Sequence, residues 1–510
     1  MPAQVSSPAS PQTSRHQIHA KNVIIATNRG PVEYYLNKDR TLKYRRGAGG
    51  VVTALIEALH STDAVWVALA KTEGDREVAK QAGDKRFQSP LPGKNLELHY
   101  VNVPKSVYHN HYDVISNQLL WFLQHYLLDA TSGLPPVERL LSTWNHGYVR
   151  ANQAIADAIC AEIEREQSSS TALLLHDYHL YLVPAMIRTR VRSCQPVVMQ
   201  QFIHIPWPEL RYWQSHLPTD ITSAIFNGLL GNDIIGFQTR RDALNFLEGA
   251  VALFEDANIS IDKGTISRQG HTSVVRDYPI SISVSEERRL VQSQAGKRAA
   301  HHIQPLLGEQ TIMRVDRIEP TKNIIVGFQA YEHLLKQHRE LQGKVNFLAF
   351  LVPSRESLRV YQDYKAEILK LVDDINRQFG RKDWTPIHAF VENDRTQALA
   401  ALQFYDVLLV NPIIDGMNLV AKEGPVVNSR DGVLVLSRTS GAFQQLGDAS
   451  IPVSPADTPE TVEALYKALT LPSEERRRLS TLARQQVERD DLNSWIEQQV
   501  RDINAVIRQR

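Results

Sequence analysis

Short apolar runs alternate with amphipathic stretches along most of the chain. The apolar runs are bounded by polar or glycine residues and are typical of buried β-strands, whereas the stretches between them show helical spacing. One such stretch places Leu244, Leu247, Val251 and Phe254 on a single predicted helix face. Alternating strands and helices predict an α/β fold whose parallel sheets are covered by helices on both sides. The strand candidates are residues 23–26, 173–175, 197–199, 312–315, 347–352, 407–410 and 433–436.

Polar and charged side chains stand at the ends of several of these strand candidates. In open α/β sheets, ligands bind beyond the carboxyl ends of the strands, where such side chains converge. We therefore predict a single cleft that is lined by strand ends. The residues concerned are Asn28 and Arg29, His176 and Asp177, His204, Ser354 and Arg355, and the segment 411–415.

The chain has 510 residues, too many for one ordinary hydrophobic core, which predicts two domains. Residues 1–20 are rich in Pro, Ser, Gln and Ala and are predicted to form a disordered tail. A polar and charged stretch marks the boundary between domains at residues 21–285 and 286–487. We expect the final helix, residues 488–510, to cross back onto the first domain, because its apolar stripe needs a surface to cover. The stripe consists of Ile496, Val500, Ile503 and Ile507.

Composition and charge argue against several classes of protein. The formal net charge of +1 gives no basis for nucleic-acid binding. No apolar run approaches the roughly 18 residues that span a bilayer, and the N-terminus lacks the apolar core of a secretory signal. Cys160 and Cys194 lack the spacing of a metal site or a redox pair and fit a reducing, cytoplasmic compartment. The sequence leaves a homo-oligomer open.

A glycine-rich loop is the first candidate phosphate site. Gly47, Gly49 and Gly50 follow the basic residues 43–46 and precede an apolar, helix-like run. Glycine allows the backbone to approach a phosphate closely, and the start of a helix offers free N–H groups. The alternative is a plain turn before a helix.

Two cations follow the strand candidate at residues 312–315 and form the second candidate site. Arg317 suits a diphosphate because its guanidinium can form two parallel hydrogen bonds, and Lys322 acts as a point charge. The alternative is a solvated surface loop in which Asp316 and Glu319 neutralise these cations.

The segment 411–423 is the most specific motif, because a strand runs into a glycine turn and then into a helix. Asp415 is suited to hydrogen-bond a sugar hydroxyl, and Glu423 is suited to hold the ribose diol of a nucleotide. The alternative is that these carboxylates only cap the helix. Free amides at the helix N-terminus would accept a phosphate, namely those of Asn418, Leu419 and Val420.

Two histidine segments end apolar runs, one at residues 176–179 and one at His204. A single histidine is usually structural, but its place at a strand end makes His204 a candidate substrate contact. The histidines lack the spacing of a zinc hydrolase, so we predict that the protein requires no metal and no other cofactor.

Taken together and in this order, these segments resemble the trehalose-6-phosphate synthase family of retaining glycosyltransferases, glycosyltransferase family 20. The resemblance extends from about Val23 to Trp495 and is specific because the motifs occur in combination. The motifs are Asn28 and Arg29, Gly49 and Gly50, Tyr112 and Trp121, residues 176–180, residues 204–206, residues 236–239, Arg317 and Lys322, and residues 415–423.

The resemblance implies the GT-B arrangement, in which two Rossmann-like domains face each other across a cleft. It implies that the N-terminal domain binds the acceptor, glucose 6-phosphate, and that the C-terminal domain binds a nucleotide sugar, commonly UDP-glucose. It assigns Arg29, Tyr112, Trp121, Asp177 and Arg355 to the acceptor. It assigns Gly49, Gly50, Arg317, Lys322, Asn418, Leu419, Val420 and Glu423 to the donor. The catalytic set would be Arg317 and Lys322 at the leaving diphosphate, with His204 and Asp415 at the transferred glucose.

Some segments depart from the family pattern. Residues 319–323 read Glu-Pro-Thr-Lys-Asn where the family usually has Asp-Tyr-Ser-Lys-Gly, and Ser281 ends a run that usually reads Tyr-Pro-Ile-Gly. The residues after Trp66 lack a second tryptophan, and residues 424–428 are also atypical. Relatives with another acceptor, which make glucosylglycerol-type phosphates or join cyclitols, therefore remain an alternative. A catalytically idle regulatory subunit is a further alternative, against which the retained Arg317, Lys322, Asp415 and Glu423 argue.

Overall fold

The computed structural model describes residues 17–47, 63–91, 95–128, 136–166, 170–191, 196–356 and 358–509. Its strands are β1 (Asn22–Thr27), β2 (Val32–Leu36), β3 (Leu42–Arg46), β4 (Ala64–Leu69), β5 (Phe87–Gln88), β6 (Leu96–Val101), β7 (Thr171–His176), β8 (Val197–Phe202), β9 (Ile234–Phe237), β10 (Asn258–Ser260), β11 (Thr265–Arg268), β12 (His271–Asp277), β13 (Gln310–Arg317), β14 (Val345–Val352), β15 (Ile387–Phe390), β16 (Val407–Val410), β17 (Val433–Ser437) and β18 (Ser450–Val453).

Helices connect most of these strands. The α-helices are Glu73–Gln81, Lys105–Tyr108, Trp121–Gln124, Val137–Thr143, Arg150–Arg165, Val183–Arg188, Leu210–His216, Thr219–Leu229, Arg240–Leu253, Val284–Gln292, Gln294–Ile303, Ile324–Gln337, Arg359–Phe379, Arg395–Ala401, Val420–Val427, Phe443–Leu446, Thr458–Thr470, Ser473–Arg489 and Leu492–Gln509. His109–Leu120 and Trp144–Val149 are π-helical, and short 3₁₀ turns occur at Tyr178–Leu180, Gln304–Leu306, Pro320–Lys322, Arg339–Leu341 and Gly447–Ala449.

The first sheet has the strand order β10-β11-β12-β9-β8-β7-β1-β4-β6-β5. Strands β6, β4, β1, β7, β8, β9 and β12 pair in parallel, whereas β5, β10 and β11 pair antiparallel at the two edges. The chain builds outward from β1 to one edge and returns at β7 to build toward the other. The strand order therefore reverses between β1 and β7, and such a switch point leaves a crevice at the carboxyl ends of the two strands.

The second sheet is parallel throughout, with the order β15-β14-β13-β16-β17-β18. Counted from its own first strand, this is the Rossmann order 3-2-1-4-5-6, and its switch point lies between β13 and β16. Strand β14 is apolar apart from Asn346 and buried at all but its last residue, as expected for a strand between two helical layers.

The α/β prediction is confirmed, because each strand candidate lies within an observed strand. The predicted helix near residues 244–254 exists as Arg240–Leu253, and its predicted face is partly right, because Leu247 and Phe254 are buried and Leu244 is half-buried. Val251 is 52% exposed, whereas Phe246 is fully buried. The Phe246 ring stacks on Phe226 with centroids 5.1 Å apart. This contact with another helix determines the buried face, and the spacing of apolar residues within one helix cannot reveal it.

The final helix, Leu492–Gln509, packs on the first sheet and on the segment that connects the two sheets. Its first backbone amide donates to the Ile282 carbonyl at 2.9 Å, and Trp495 Nε1 donates to the Tyr278 carbonyl at 3.1 Å. Gln200 Nε2, on β8, donates to Gln499 Oε1 at 2.6 Å. Of the predicted apolar stripe, Ile496, Val500 and Ile503 are buried and Ile507 is half-buried.

The prediction of a disordered tail at residues 1–20 is wrong for its last part. Ile18 is 7% exposed and belongs to the core, and the His19 amide donates to Asn504 Oδ1 at 2.8 Å. Asn504 Nδ2 also donates to the Gln17 carbonyl at 3.0 Å, so the final helix holds the residues on both sides of the buried Ile18. Residues 1–16 lie outside the described residues, and the proposed domain boundary at residues 285 and 286 stays a prediction.

We expect Trp495→Ala to lower the free energy of unfolding by about 3–5 kcal/mol, because the change leaves a cavity and removes a hydrogen bond. Trp495 is 2% exposed, and its ring centroid lies 5.4 Å from that of Phe202 in the first sheet. Urea unfolding followed by circular dichroism measures the effect. Arg501→Ala, at an exposed position of the same helix, is the control and should change stability by less than about 0.5 kcal/mol. Equal stability of the two variants would contradict a structural role for the crossing helix.

Candidate active site

The candidate site is built from the two switch points. In the first sheet, Arg29 follows β1 and Asp177 follows β7, which are the two strands at its reversal. In the second sheet, Arg317 ends β13, and Asp415 follows β16. The residues that the sequence placed at strand ends therefore converge on the two crevices where an open α/β sheet binds its ligand.

Arg29 and Tyr112 form one wall of the first crevice. The Arg29 guanidinium donates to the Tyr112 hydroxyl, and its Cζ lies 5.2 Å from the centre of the Tyr112 ring. Tyr112 in turn stacks on His179, with centroids 5.8 Å apart and an angle of 17° between the rings. Because Arg29 is exposed while Tyr112 holds its guanidinium, the cation is available to an anionic ligand.

Asp177 has a strained backbone and a perturbed carboxyl. Its φ of +73° lies in a region that only a few per cent of non-glycine residues adopt, and strain of this kind is common at functional sites. Burial raises the pKa of Asp177 to about 7, although the amides of Tyr178 and His204 and the charge of Arg355 act in the opposite direction. The carboxyl therefore titrates near neutral pH beside the crevice.

His204 follows β8 and pairs with His176, whose Nδ1 lies 3.1 Å from His204 Nε2. Burial lowers the pKa of His176 to about 3, and burial together with His176 lowers the pKa of His204 well below its ordinary value. Both rings are therefore neutral, and this hydrogen bond fixes the orientation of the half-buried His204 ring.

Glu319 gathers three donors at the carboxyl ends of β13 and β14. Its Oε1 accepts from Arg317 at 2.7 Å, from Arg355 at 3.2 Å and from the Ser354 hydroxyl at 2.8 Å. Burial alone would raise the pKa of Glu319, but Arg317, Arg355 and Lys322 outweigh burial and hold the pKa below its ordinary value. The ion pair of the solvated-loop alternative thus exists, with an exposed Arg317 and a fully buried Glu319 carboxylate, and the role of Arg317 at a diphosphate stays a prediction.

Arg355 connects the second sheet to the first half of the chain. Its Cζ lies 4.1 Å from the centre of the Trp121 ring, and its guanidinium donates to Asn117 Oδ1 at 3.3 Å and to the Tyr361 hydroxyl at 2.7 Å. Burial alone would lower the pKa of Arg355, but the charge of Glu319 outweighs burial, so the pKa lies above its ordinary value and Arg355 stays charged. Arg355 is thus a half-buried bridge from the second sheet to the first half of the chain, not a surface cation paired with Glu356.

Lys322 and Asp415 form an ion pair across the second switch point. Asn418 Nδ2 also donates to Asp415 Oδ2, at 3.2 Å. Burial alone would raise the pKa of Asp415, but Lys322, followed by His125 and Arg317, lowers the pKa below its ordinary value. The carboxylate is therefore charged and can accept hydrogen bonds from sugar hydroxyls.

The helix after β16 starts at Val420, with Leu419 at its N-cap and no side-chain cap hydrogen bond. The capping alternative for Asp415 and Glu423 is therefore wrong. Asn418 has a φ of +77°, which turns the chain from the glycine loop into the helix. The amides of Lys422 and Glu423 donate to the Leu419 carbonyl, and the Ala421 amide donates to Asn418 Oδ1 at 3.4 Å. The predicted phosphate donors at the start of this helix are therefore the amides of Asn418, Leu419 and Val420.

Gly416 lies where the loop after β16 touches the loop after β8. A Cβ at this position would overlap the carbonyl oxygen of His204, so a larger residue would push the loop after β16 away from the loop after β8. Together with Arg355 on Trp121, this contact shows that the two switch points face each other across one cleft.

The sequence model of glycosyltransferase family 20 matches residues 21–505, which is nearly the whole chain. The chain belongs to glycosyltransferase family 20. Its two Rossmann-like sheets with facing switch points are the GT-B arrangement that the resemblance implied, so the predicted fold is confirmed.

Relatives from family 20 align over most of the chain. The trehalose-6-phosphate synthase of Citrobacter koseri is 29% identical over 465 residues, covering 90% of this chain and 92% of that protein. An E. coli structure bound with UDP-2-fluoro glucose has a TM-score of 0.80 at 26% identity and covers 95% of this chain and 99% of that chain. The alpha,alpha-trehalose-phosphate synthase (UDP-forming) of Burkholderia xenovorans, in complex with glucose-6-phosphate, has a TM-score of 0.77 at 26% identity and covers 94% and 100%.

Not every assigned residue of this family 20 chain lies in the described part. Gly49 and Gly50, assigned to the donor, fall outside the described residues, as does Cys194, so their roles stay predictions. Cys160 is a buried free thiol. Across the described ranges, no three His, Cys, Asp or Glu side chains are arranged to hold a metal ion, and no helix is long and apolar enough to cross a membrane.

Sequence reasoning missed two residues that shape the site of this family 20 member. Asn117 accepts from Arg355, and the His125 ring packs on Trp121 with centroids 4.1 Å apart. Asn117 and His125 stand four residues before and after Trp121. That helical spacing places side chains on one face and was the available signal.

Proposed function

We propose that this glycosyltransferase moves glucose from a nucleotide sugar, UDP-glucose, to glucose 6-phosphate and retains the anomeric configuration, forming trehalose 6-phosphate. Family membership and similarity to proteins that hold UDP-2-fluoro glucose or glucose-6-phosphate support the proposal. The observation that carries it is the bridge from Arg355, beside the donor-side cations, to Trp121 on the acceptor side. One cleft with cations on both sides suits two phosphorylated substrates.

The second switch point is suited to the donor. Two ion pairs, Arg317 with Glu319 and Lys322 with Asp415, hold the cations in place before a ligand enters. A diphosphate offers both cations charge-assisted hydrogen bonds, and the amides at the start of the Val420–Val427 helix add further donors. As the bond to the sugar breaks, charge develops on the leaving diphosphate, and preorganised cations stabilise that charge most.

The first switch point is suited to a phosphorylated acceptor. Arg29 and Arg355 come from different domains, so a phosphate between them draws the domains together and helps to exclude water. Tyr112 would contribute a hydroxyl hydrogen bond, Trp121 would form a wall for the sugar, and Asp177 would accept from a sugar hydroxyl.

Retention follows when the acceptor attacks from the face that the diphosphate leaves. The bond from the anomeric carbon to the diphosphate breaks, the acceptor oxygen bonds to that carbon on the same face, and its proton passes to the departing phosphate oxygen. No protein base is needed, so the protein contributes positioning, charge stabilisation and a dry cleft. The neutral His204 and the charged Asp415 would orient the transferred glucose.

Nucleotide release from UDP-glucose, measured with and without an acceptor, tests the proposal. We expect rapid UDP release only with glucose 6-phosphate, and much slower release with free glucose. A preference for glycerol 3-phosphate or a cyclitol phosphate would keep the phosphate clamp and change the product. Absence of release with every acceptor and nucleotide sugar would contradict the proposal and favour the regulatory subunit.

Metal removal should leave turnover unchanged. We expect the same kcat after dialysis against EDTA and after addition of Mg²⁺, because Arg317 and Lys322 supply the charge that a metal ion supplies in other transferases. Steady-state UDP release in the two buffers measures this. A loss of activity with EDTA that Mg²⁺ restores would show that the prediction is wrong.

A further inference from the structure

A buried carboxylate beside the predicted ribose ligand has no role in the site described so far. Glu287, on the Val284–Gln292 helix, is 4% exposed. Arg395 Nη2 lies 2.5 and 2.6 Å from its two carboxylate oxygens. Arg395 also lies 3.6 Å from Glu423 Oε1, which is too far for a hydrogen bond. One guanidinium is thus shared unequally between two carboxylates.

We propose that Glu287 is a positioning residue for the nucleotide sugar: it holds Arg395 away from Glu423 and so leaves the Glu423 carboxylate free for the ribose diol. The inference rests on the proposed function, because it takes Glu423 as the ribose ligand. It extends that function to a residue outside the motifs that the resemblance assigned.

The competition follows from the strengths of the hydrogen bonds involved. An arginine bound to a carboxylate forms a charge-assisted bond, which is about twice as strong as a bond from a neutral hydroxyl. If Glu287 lost its charge, Arg395 would bind Glu423 instead and compete with the diol. The move is short, and the Arg395 side chain is 57% exposed and free to make it.

Glu287, Arg395 and Glu423 lie on three different helices, so their contacts depend on how these helices are placed. Glu287 belongs to a helix within the segment that joins the two sheets, Arg395 begins the Arg395–Ala401 helix, and Glu423 lies on the helix at the donor crevice. A shift of the connecting helix would change which carboxylate Arg395 binds. Glu287 thereby links the donor site to the junction between the domains.

Protonation of Glu287 should have the same effect as replacing it by an uncharged residue. Burial, followed by the charge of Glu423, raises the pKa of Glu287 to about 7, while Arg395 acts in the opposite direction. The charged groups facing it are Glu423 and Arg395 from the neighbouring helices and Glu286 from its own. Burial also raises the pKa of Glu423. As the pH falls through about 7, Glu287 becomes neutral and releases Arg395.

Kinetics of Glu287→Gln with UDP-glucose test the proposal. We expect KM for UDP-glucose to rise about tenfold with kcat unchanged, the effect of one charge-assisted hydrogen bond redirected to Glu423. With 2′-deoxy-UDP-glucose, which lacks part of the diol, KM should rise less. Glu286→Gln is the matched control, because this neighbour is 45% exposed and pairs with Arg289. An equal rise for both donors, or no rise, would overturn the proposal.

Two further measurements separate positioning from folding. In an Arg395→Gln background, Glu287→Gln should have no additional effect on KM, because the competing cation is gone. The ratio of KM between Glu287→Gln and wild type should fall toward one below pH 7, where wild-type Glu287 is itself neutral. A constant ratio across pH would show that protonation of Glu287 does not release Arg395. If the wild type transferred no glucose from UDP-glucose, the proposed function would be wrong. If the wild type were active and Glu287→Gln had the same KM, the proposed function would stand and only this inference would be wrong.

Discussion

Replacing Lys322 by alanine should lower kcat by about 100-fold or more, because loss of one preorganised donor at a developing charge costs about 2.7–4 kcal/mol. Lys322 lies at the switch point of the second sheet, mostly buried and paired with Asp415. Its charge is most useful when the diphosphate leaves, so the loss should fall on kcat more than on KM. UDP release at saturating concentrations of both substrates measures the effect.

The control for Lys322→Ala is Lys336→Ala. Lys336 lies on the next helix, 44% exposed, and pairs with Glu332 far from the strand ends. Its replacement should leave kcat at the wild-type level. Near-normal turnover of Lys322→Ala, in a variant that unfolds at the wild-type temperature, would show that Lys322 does not stabilise the leaving group.

Replacing Arg355 by glutamine should lower kcat/KM for glucose 6-phosphate by about 100-fold, as loss of a charge-assisted contact of about 3 kcal/mol predicts. Arg355 is held over Trp121 and anchored by Glu319, so its guanidinium is fixed beside the acceptor crevice. Because free glucose has no phosphate, its slow rate should change much less. The ratio of kcat/KM for the two acceptors is the measurement.

Arg359→Gln is the matched control for Arg355→Gln, since Arg359 is 89% exposed and pairs only weakly, at 3.5 Å, with Asp363. The control should keep the wild-type preference for glucose 6-phosphate. If Arg355→Gln lost the same factor with free glucose, Arg355 would serve the structure of the cleft and not the acceptor phosphate.

The central sheets and their strand ends could be predicted from the sequence, because a strand buried on both faces is a continuous apolar run. Strand β16 matches the predicted run at residues 407–410, and the polar residues after β1, β7, β8, β14 and β16 do converge. Polarity changes sharply where a buried strand reaches a crevice, and that local change is visible without any tertiary information.

The return of the final helix was predicted, but the individual residues that meet across distant parts of the chain were not. Arg355 meets Asn117 across 238 residues, and the His19 amide donates to Asn504 in the final helix. The burial of Glu319 depends on the same kind of packing, so its ion pair with Arg317 could not be told from a solvated pair. Phe246 shows the same limit within one helix, because its neighbours on other helices set the buried face.

The ion pair between Glu287 and Arg395 could not be predicted for a related reason. Glu287 and Arg395 are 108 residues apart, and neither belongs to a motif with recognisable spacing. The antiparallel edges β5, β10 and β11 were likewise missed, since short edge strands are partly exposed and lack a strong apolar pattern.

NMR of the product shows whether glucose is transferred and whether its anomeric configuration is retained. With UDP-[1-¹³C]glucose and glucose 6-phosphate, we expect one labelled phosphodisaccharide, α-linked through both anomeric carbons, that forms at the rate of UDP release. A labelled β-anomer would contradict retention, and UDP release without any glycoside product would contradict glucosyl transfer itself.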